Sequence, residues 1–257
     1  MVEGMTHEQA LFRYLLRLGD TAHVLCHRLG EWCGHGPVLE EDIALTNVAL
    51  DLIGQARLFY QYAAEVEGAG RTEDDLAFLR PERDMNNLLL VEQPNGDYAR
   101  TMARQFLFDC YNLRLMQAFE KSSDQRIAEI AAKAVKEVTY HRRHSASWVI
   151  RMGDGTDESH TRIATAFGEL FGFVSEFFEM DDVDRAMADA GVGPDLGGLR
   201  EGWEADVRAV LDEATLDWPD QGWKVLGGRH EGRHTEHLGY LMAEMSFMQR
   251  TYPGMNW

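Results

Sequence analysis

The chain has 257 residues, 45% hydrophobic and 26% charged, the profile of a globular protein long enough to bury a core. Its formal net charge of −18 disfavours phosphate backbones and anionic lipid headgroups as partners, so neither nucleic acid nor membrane is expected, and basic protein surfaces suit it better. No run reaches the roughly 18 apolar residues of a membrane span, and MVEGMTHEQALFRYLLRLGD, with no small-residue cleavage site, does not read as a signal peptide.

Helical periodicity predicts helices over about 6–33, 40–67, 97–121 and 123–152, then about 157–190, 198–215 and 231–250. No alternating β-branched run is bounded by a hairpin turn, so strands are not expected. GHGP (34–37), QPNGD (93–97) and GDGTD (153–157) punctuate the series. The first two helices, and the third and fourth, are joined by a few residues and should each form an antiparallel hairpin. The 68–96 segment between them is long enough to cross a bundle from end to end. Two hairpins and one long crossover are the ferritin-like pattern. The expected architecture is therefore all-α: a ferritin-like four-helix bundle at about 6–152, with accessory helices at about 157–252, in one domain over 1–257. Cys26, Cys33 and Cys110 lack metal spacing and cannot all pair, which points to a reducing cytoplasm.

The inward stripe of the fourth helix reads Ile127, Ala131, Ala134, Val138, His141, Ser145 and Trp148. On the third helix Met102, Phe106, Asp109, Leu113 and Met116 form a stripe with a carboxylate at its centre. On the second, Ala44, Val48, Asp51, Gln55, Leu58 and Tyr62 do the same, and the first offers Asp20, His23 and His27. Carboxylates on apolar stripes need a partner or a metal. Di-iron bundles use four carboxylates and two histidines, with Glu-x-x-His on two helices. Here Val138 stands three before His141, and Glu137 comes one place early. No histidine occurs in the second or third helix. The count favours a buried hydrogen-bonded cluster with Asp51 and Asp109 inside, and no metal at Asp20, His23, Asp51, Gln55, Asp109, Glu137, Val138 or His141. Candidate partners for the carboxylates are His141, Gln55, Arg57 and Lys136.

His230-Glu231-Gly232-Arg233-His234 spells H-E-x-x-H, the zinc-protease pattern, which needs a packed helix to carry both histidines on one face. Glycines at 227, 228 and 232 argue instead for a helix start ahead of LGYLMAEMSFMQR.

Four blocks carry a family resemblance: RLGEWCGHGPVLEEDIALTNVALDLIGQAR (28–57), NNLLLVEQPNGDYA (86–99), KEVTYHRRH (136–144) and HTEHLGYLMAEM (234–245). They resemble the C-subunit family of ring-1,2-phenylacetyl-CoA epoxidase, the multicomponent oxygenase of bacterial aerobic phenylacetate breakdown. The resemblance implies a ferritin-like fold and a non-catalytic structural subunit in a hetero-oligomer. It further implies a related A subunit that holds the di-iron centre and substrate pocket, a B subunit, and a reductase carrying FAD and an iron–sulfur cluster and using NADPH. Together they convert phenylacetyl-CoA and O2 to a ring epoxide. The catalytic sister's fourth-helix Glu-x-x-His falls on Val138 and His141, its third-helix carboxylate on Asp109, and its second-helix pair near Leu52–Ala56, where neither ligand type stands. No cofactor is thus expected in this chain. The contrasting readings are an autonomous di-iron oxidase using Asp20, His23, Asp51, Asp109, Glu137 and His141, and a zinc hydrolase using the C-terminal motif. The first two helices, around 44–62, are expected to face another ferritin-like chain, with self-association in its place when the chain is alone.

Overall fold

A computed structural model describes residues 4–219 and 222–255; the ends of the expected 1–257 domain lie outside the described residues. Eleven α-helices, three 3-10 turns and no strand occur among them. Among the described residues no helix is long and apolar enough to cross a membrane. The chain divides into two compact units, Met1–Pro94 with Gly227–Trp257, and Asn95–Leu226. The first boundary falls within the stretch expected to form the core bundle, and the second within the accessory stretch.

In the first unit, α1 (His7–Gly30) opens with a capping box. The Thr6 hydroxyl accepts from the Gln9 amide, and the Gln9 side chain accepts from the Thr6 amide. Helix α2 (Leu39–Glu67) has no side-chain cap, but Glu40, Glu41 and Asp42 oppose the dipole of its first turn, and Gly68 ends it in the left-handed region. The two helices form the expected hairpin. At its centre the Tyr60 ring lies against α1 because residue 19 is glycine: a Cβ there would lie 2.7 Å from that ring.

After α2 the chain forms α3 (Glu73–Phe78) and a 3-10 turn at Glu82–Asp84. It then runs beside α1 towards that helix's C-terminal end. The Asn86 amide meets Asp20, the Leu88 amide meets Thr21, and the Arg28 guanidinium meets the Glu92 carbonyl at 2.8 Å. The short helices α9 (Gly228–Glu231), α10 (Glu236–Met245) and α11 (Phe247–Thr251) belong to this unit in space, although α4 to α8 lie between them and α3 in the chain.

The second unit is built on α4 (Tyr98–Phe119) and α5 (Gln125–Gly153), an antiparallel hairpin started by the Asp97 and Asp124 caps. Helix α4 is buried on nearly every side, so its predicted stripe is real but understates its burial. On α5 the stripe holds from Ile127 to Ser145. It then passes to Val149 and Met152, while Trp148 is only half-buried against the Tyr98 ring. Around the hairpin lie α6 (Asp157–Leu170), a 3-10 segment (Phe171–Phe178), α7 (Asp182–Asp189), a 3-10 turn (Gly197–Leu199) and α8 (Arg200–Glu213). Trp203 of α8 is fully buried, with its indole N–H donating to the Leu107 carbonyl at 3.1 Å.

Three expectations are corrected. The 157–190 helix is interrupted after Leu170 by the 3-10 segment Phe171–Phe178, all eight residues of which are buried, and resumes as α7 behind the Asp181 cap. The 231–250 helix is α10 and α11, because Gly232 adopts φ 62° and starts the chain afresh at Thr235. The buried stripe of α2 is Leu45, Val48, Leu52, Gln55, Ala56, Phe59, Tyr60 and Ala63, about one position out of phase with the predicted one. That helix carries apolar residues all round, so its periodicity could not fix the phase. Asp51 is consequently half-exposed rather than buried. Helix α1 is enclosed over most of its length, and the apolar residues left open on α2 are Leu39, Ile43 and Leu50.

Candidate functional site

In the first unit, Asp20 is fully buried in the middle of α1. The Arg80 guanidinium pairs with it through both terminal nitrogens, one of them at 3.1 Å. The Tyr60 hydroxyl donates to it at 2.6 Å and the Asn86 amide at 2.7 Å. Arg80 also donates to the carbonyls of Leu76 and Asp84, so its planar fork is fully used. A buried carboxylate that accepts two nitrogens of one guanidinium is neutralised in place. Arg80 fills the role that a metal cation plays for such a group. Tyr60, shielded from water and beside Asp20, has its phenol held well above the ordinary range.

Three residues along α1, His23 is also fully buried, and His27 follows one turn later, half-buried. The two Nε2 atoms are 3.1 Å apart, and the Tyr60 oxygen is 3.4 Å from His23 Nδ1. Burial lowers the pKa of His23 well below the ordinary imidazole value, with smaller contributions from His27 and Arg80. Burial lowers that of His27 too. Gln55 is buried on α2 in this unit, and Asp51 lies towards solvent.

In the second unit, Asp109 is fully buried on α4. Ser145 Oγ donates to one carboxylate oxygen at 2.8 Å, and Gln105 Nε2 to the other at 2.7 Å. Burial pushes the Asp109 carboxyl up to about 6, opposed by His141 and by these two hydrogen bonds. His141 and Val138 face the core of α5. Glu137 is turned to the edge, with Lys133 Nζ 3.9 Å away. The sequence order of these residues is thus kept in space: valine points inward and glutamate does not.

The C-terminal motif is a different object. Gly232 breaks the chain between its two halves, and a Cβ at that position would lie 2.2 Å from the Arg83 carbonyl oxygen. Both nitrogens of His234 face acceptors, Glu92 at 2.9 Å and the Met85 carbonyl at 2.9 Å. An imidazole between two acceptors is doubly protonated, and the raised His234 pKa follows: burial opposes it, but the Glu92 carboxylate outweighs burial. Glu231 pairs with Arg233 at 2.5 Å. The glutamate and second histidine of a zinc hydrolase are therefore both engaged elsewhere, and the motif serves to fasten the C-terminal segment to the crossover. Glu92 completes that fastening by accepting from the Asn87 side chain at 2.9 Å and the Thr235 amide at 2.6 Å.

A model of the family described as "Phenylacetic acid catabolic protein" matches residues 2–257. The chain belongs to this family. It is similar to the C subunit of 1,2-phenylacetyl-CoA epoxidase from Escherichia coli strain K12, with 49% identity over 247 residues, covering 96% of this chain and 99% of that protein. The family agrees with the all-α, ferritin-like class expected from two short-looped hairpins and one long connection.

The residues do not fit a di-iron pair. Asp20 is committed to a guanidinium, Val138 has no donor atom, Glu137 is at the helix edge, and Asp51 is half-exposed. Reading the sequence alone missed the groups that satisfy the buried carboxylates. Ser145 stood on the predicted inner stripe and Gln105 one turn before Asp109, so both were findable at four-residue spacing. Arg80, Tyr60 and Glu92 come from segments remote in sequence and gave no local signal. Of the partners expected for the carboxylates, His141 acts on Asp109 through its charge.

Proposed function

We propose that this chain is a non-catalytic structural subunit of a phenylacetyl-CoA 1,2-epoxidase of aerobic phenylacetate breakdown, working in the cytoplasm. Its near-full-length identity with the C subunit of the E. coli enzyme carries the reading. The filled Asp20 site and the missing ligand at Val138 support it, because they leave this chain without the carboxylates an oxygen-activating iron pair needs. The chemistry is assigned to an A subunit, which bears di-iron. A B subunit, together with a reductase that uses FAD, an iron–sulfur cluster and NADPH, completes the assembly. The role of this chain is to hold its catalytic partner by contact, through the open apolar residues of α2. Three free cysteines suit a reducing compartment.

Co-expression with the A subunit, followed by sizing and metal analysis of each protein, tests the proposal. A stable complex with iron in the catalytic partner is expected. No complex, or about two iron ions per isolated copy of this chain, would overturn it.

A further inference from the structure

We propose that His23 and His27 form a seat for a single borderline transition-metal ion, of the zinc, copper or nickel type, bound through both Nε2 atoms with water completing its shell. The site lies on one helix, needs none of Asp109, Glu137, Val138 or His141, and takes from the degenerate di-iron positions only His23. For His23 it replaces the expectation of no metal.

Geometry comes first. Residues four apart on a helix share a face, and a histidine pair at that spacing is a recurrent metal clamp. Metal–imidazole bonds of about 2.0–2.1 Å, meeting at an angle of about 100°, set two nitrogens about 3.1 Å apart. The Nε2 atoms of His23 and His27 are 3.1 Å apart.

The tautomer of His23 is fixed in the ligand-ready form. Tyr60 has one proton, which Asp20 takes at 2.6 Å. The Tyr60 oxygen is then an acceptor only, towards Arg80 Nη2 at 3.4 Å and His23 Nδ1 at 3.4 Å. With its proton on Nδ1, His23 turns the bare lone pair of Nε2 towards His27. Metal-binding histidines have this arrangement: the far ring nitrogen donates to an oxygen that is itself held by a carboxylate. Without an ion, the His27 Nε2–H fills the gap; with one, that proton moves to His27 Nδ1 and both rings stay neutral.

Burial disfavours the charged form of both rings, and neutral imidazole is the ligand. The Arg80 charge, which opposes a cation, is offset in part by its pair with Asp20. Phe78 packs edge-on against His23 with ring centroids 5.2 Å apart, and His27 is half-buried. Imidazole nitrogen selects zinc, copper and nickel over calcium or magnesium.

Calorimetric titration of the full chain with ZnCl2, NiCl2 and MgCl2 tests the site, alongside His27→Gln, Tyr60→Phe and His237→Gln. Zinc and nickel should bind at one ion per chain and magnesium should not. His27→Gln should abolish this binding, and Tyr60→Phe should weaken it about 10-fold by freeing the His23 ring. His237→Gln, on the C-terminal segment, should leave it unchanged. Wild-type chain that takes up neither metal, or His27→Gln that binds as wild type does, would overturn the assignment. Because His27 is half-buried, its substitution leaves the fold testable by circular dichroism in the same samples.

Discussion

At the residue scale, Asp109 makes a measurable statement about pH. Its folded-state carboxyl sits at about 6, above the ordinary carboxylate range, with burial as the leading cause. Between roughly pH 4 and 6 the folded chain keeps a proton that the unfolded chain releases, so stability falls as pH rises through that window. At 1.36 kcal/mol per pKa unit, the loss above pH 6 is about 3 kcal/mol. Asp109→Asn keeps an amide where Ser145 and Gln105 can bond it and removes the charge. Its thermal midpoint should exceed wild type at pH 8, and the gain should shrink towards pH 4.5; a gain independent of pH would refute the cause given. Asp20 makes the opposite case. Arg80→Met strands a fully buried carboxylate and should cost about 3–5 kcal/mol in urea unfolding. Adding Asp20→Asn should recover part of that loss, and no recovery would show that Arg80 acts through packing alone. The sequence placed Val138 and His141 inside because α5 is cleanly amphipathic, and Asp109 because it stands at the centre of an apolar stripe on α4. It misplaced Asp51, because α2 is apolar on all sides.

At the element scale, four capped helix starts were legible, while the capped starts of the short helices α3 and α7, at Thr72 and Asp181, were not. Thr6, Asp97, Asp124 and Thr156 each accept an amide from the first turn, and each predicted start lies within two residues of the observed one. Breaks inside apolar runs were not legible, since nothing local separates a buried 3-10 segment such as Phe171–Phe178 from a buried helix. The C-terminal motif was legible as a helix start, but the residues to which it is fastened were not. Gly232 is the pivot there. Alanine at φ 62° costs about 1–2 kcal/mol in backbone strain, before any displacement of the Arg83 carbonyl. Gly232→Ala should therefore lower stability by at least that amount and increase proteolysis within 227–255. A variant as stable and as resistant as wild type would show that the segment is not held at this point.

At the scale of the whole molecule, strong negative charge coexists with an open apolar stripe. The chain carries −18, yet Leu39, Ile43 and Leu50, spaced four and seven apart on α2, are 71%, 52% and 61% exposed. Apolar side chains at helical spacing that face away from their own core fit a protein surface better than water. The proposed interface with the catalytic partner would bury them, each worth about 1.5–3 kcal/mol. Exposed positions tolerate charge, so Ile43→Glu with Leu50→Glu should change the isolated chain's stability by no more than about 0.5 kcal/mol per site. Association should suffer far more: losing two such contacts, about 3–6 kcal/mol at 1.4 kcal/mol per tenfold, weakens the complex by about 10²-fold or more. Size-exclusion chromatography of the double variant co-expressed with its catalytic partner should show two separate proteins where wild type gives one complex. If the isolated wild-type chain self-associates with rising concentration, the same two substitutions should abolish that as well. A double variant that still co-elutes with the partner at wild-type affinity would place the contact on another face, and would leave the apolar stripe of α2 without a role in holding the two proteins together.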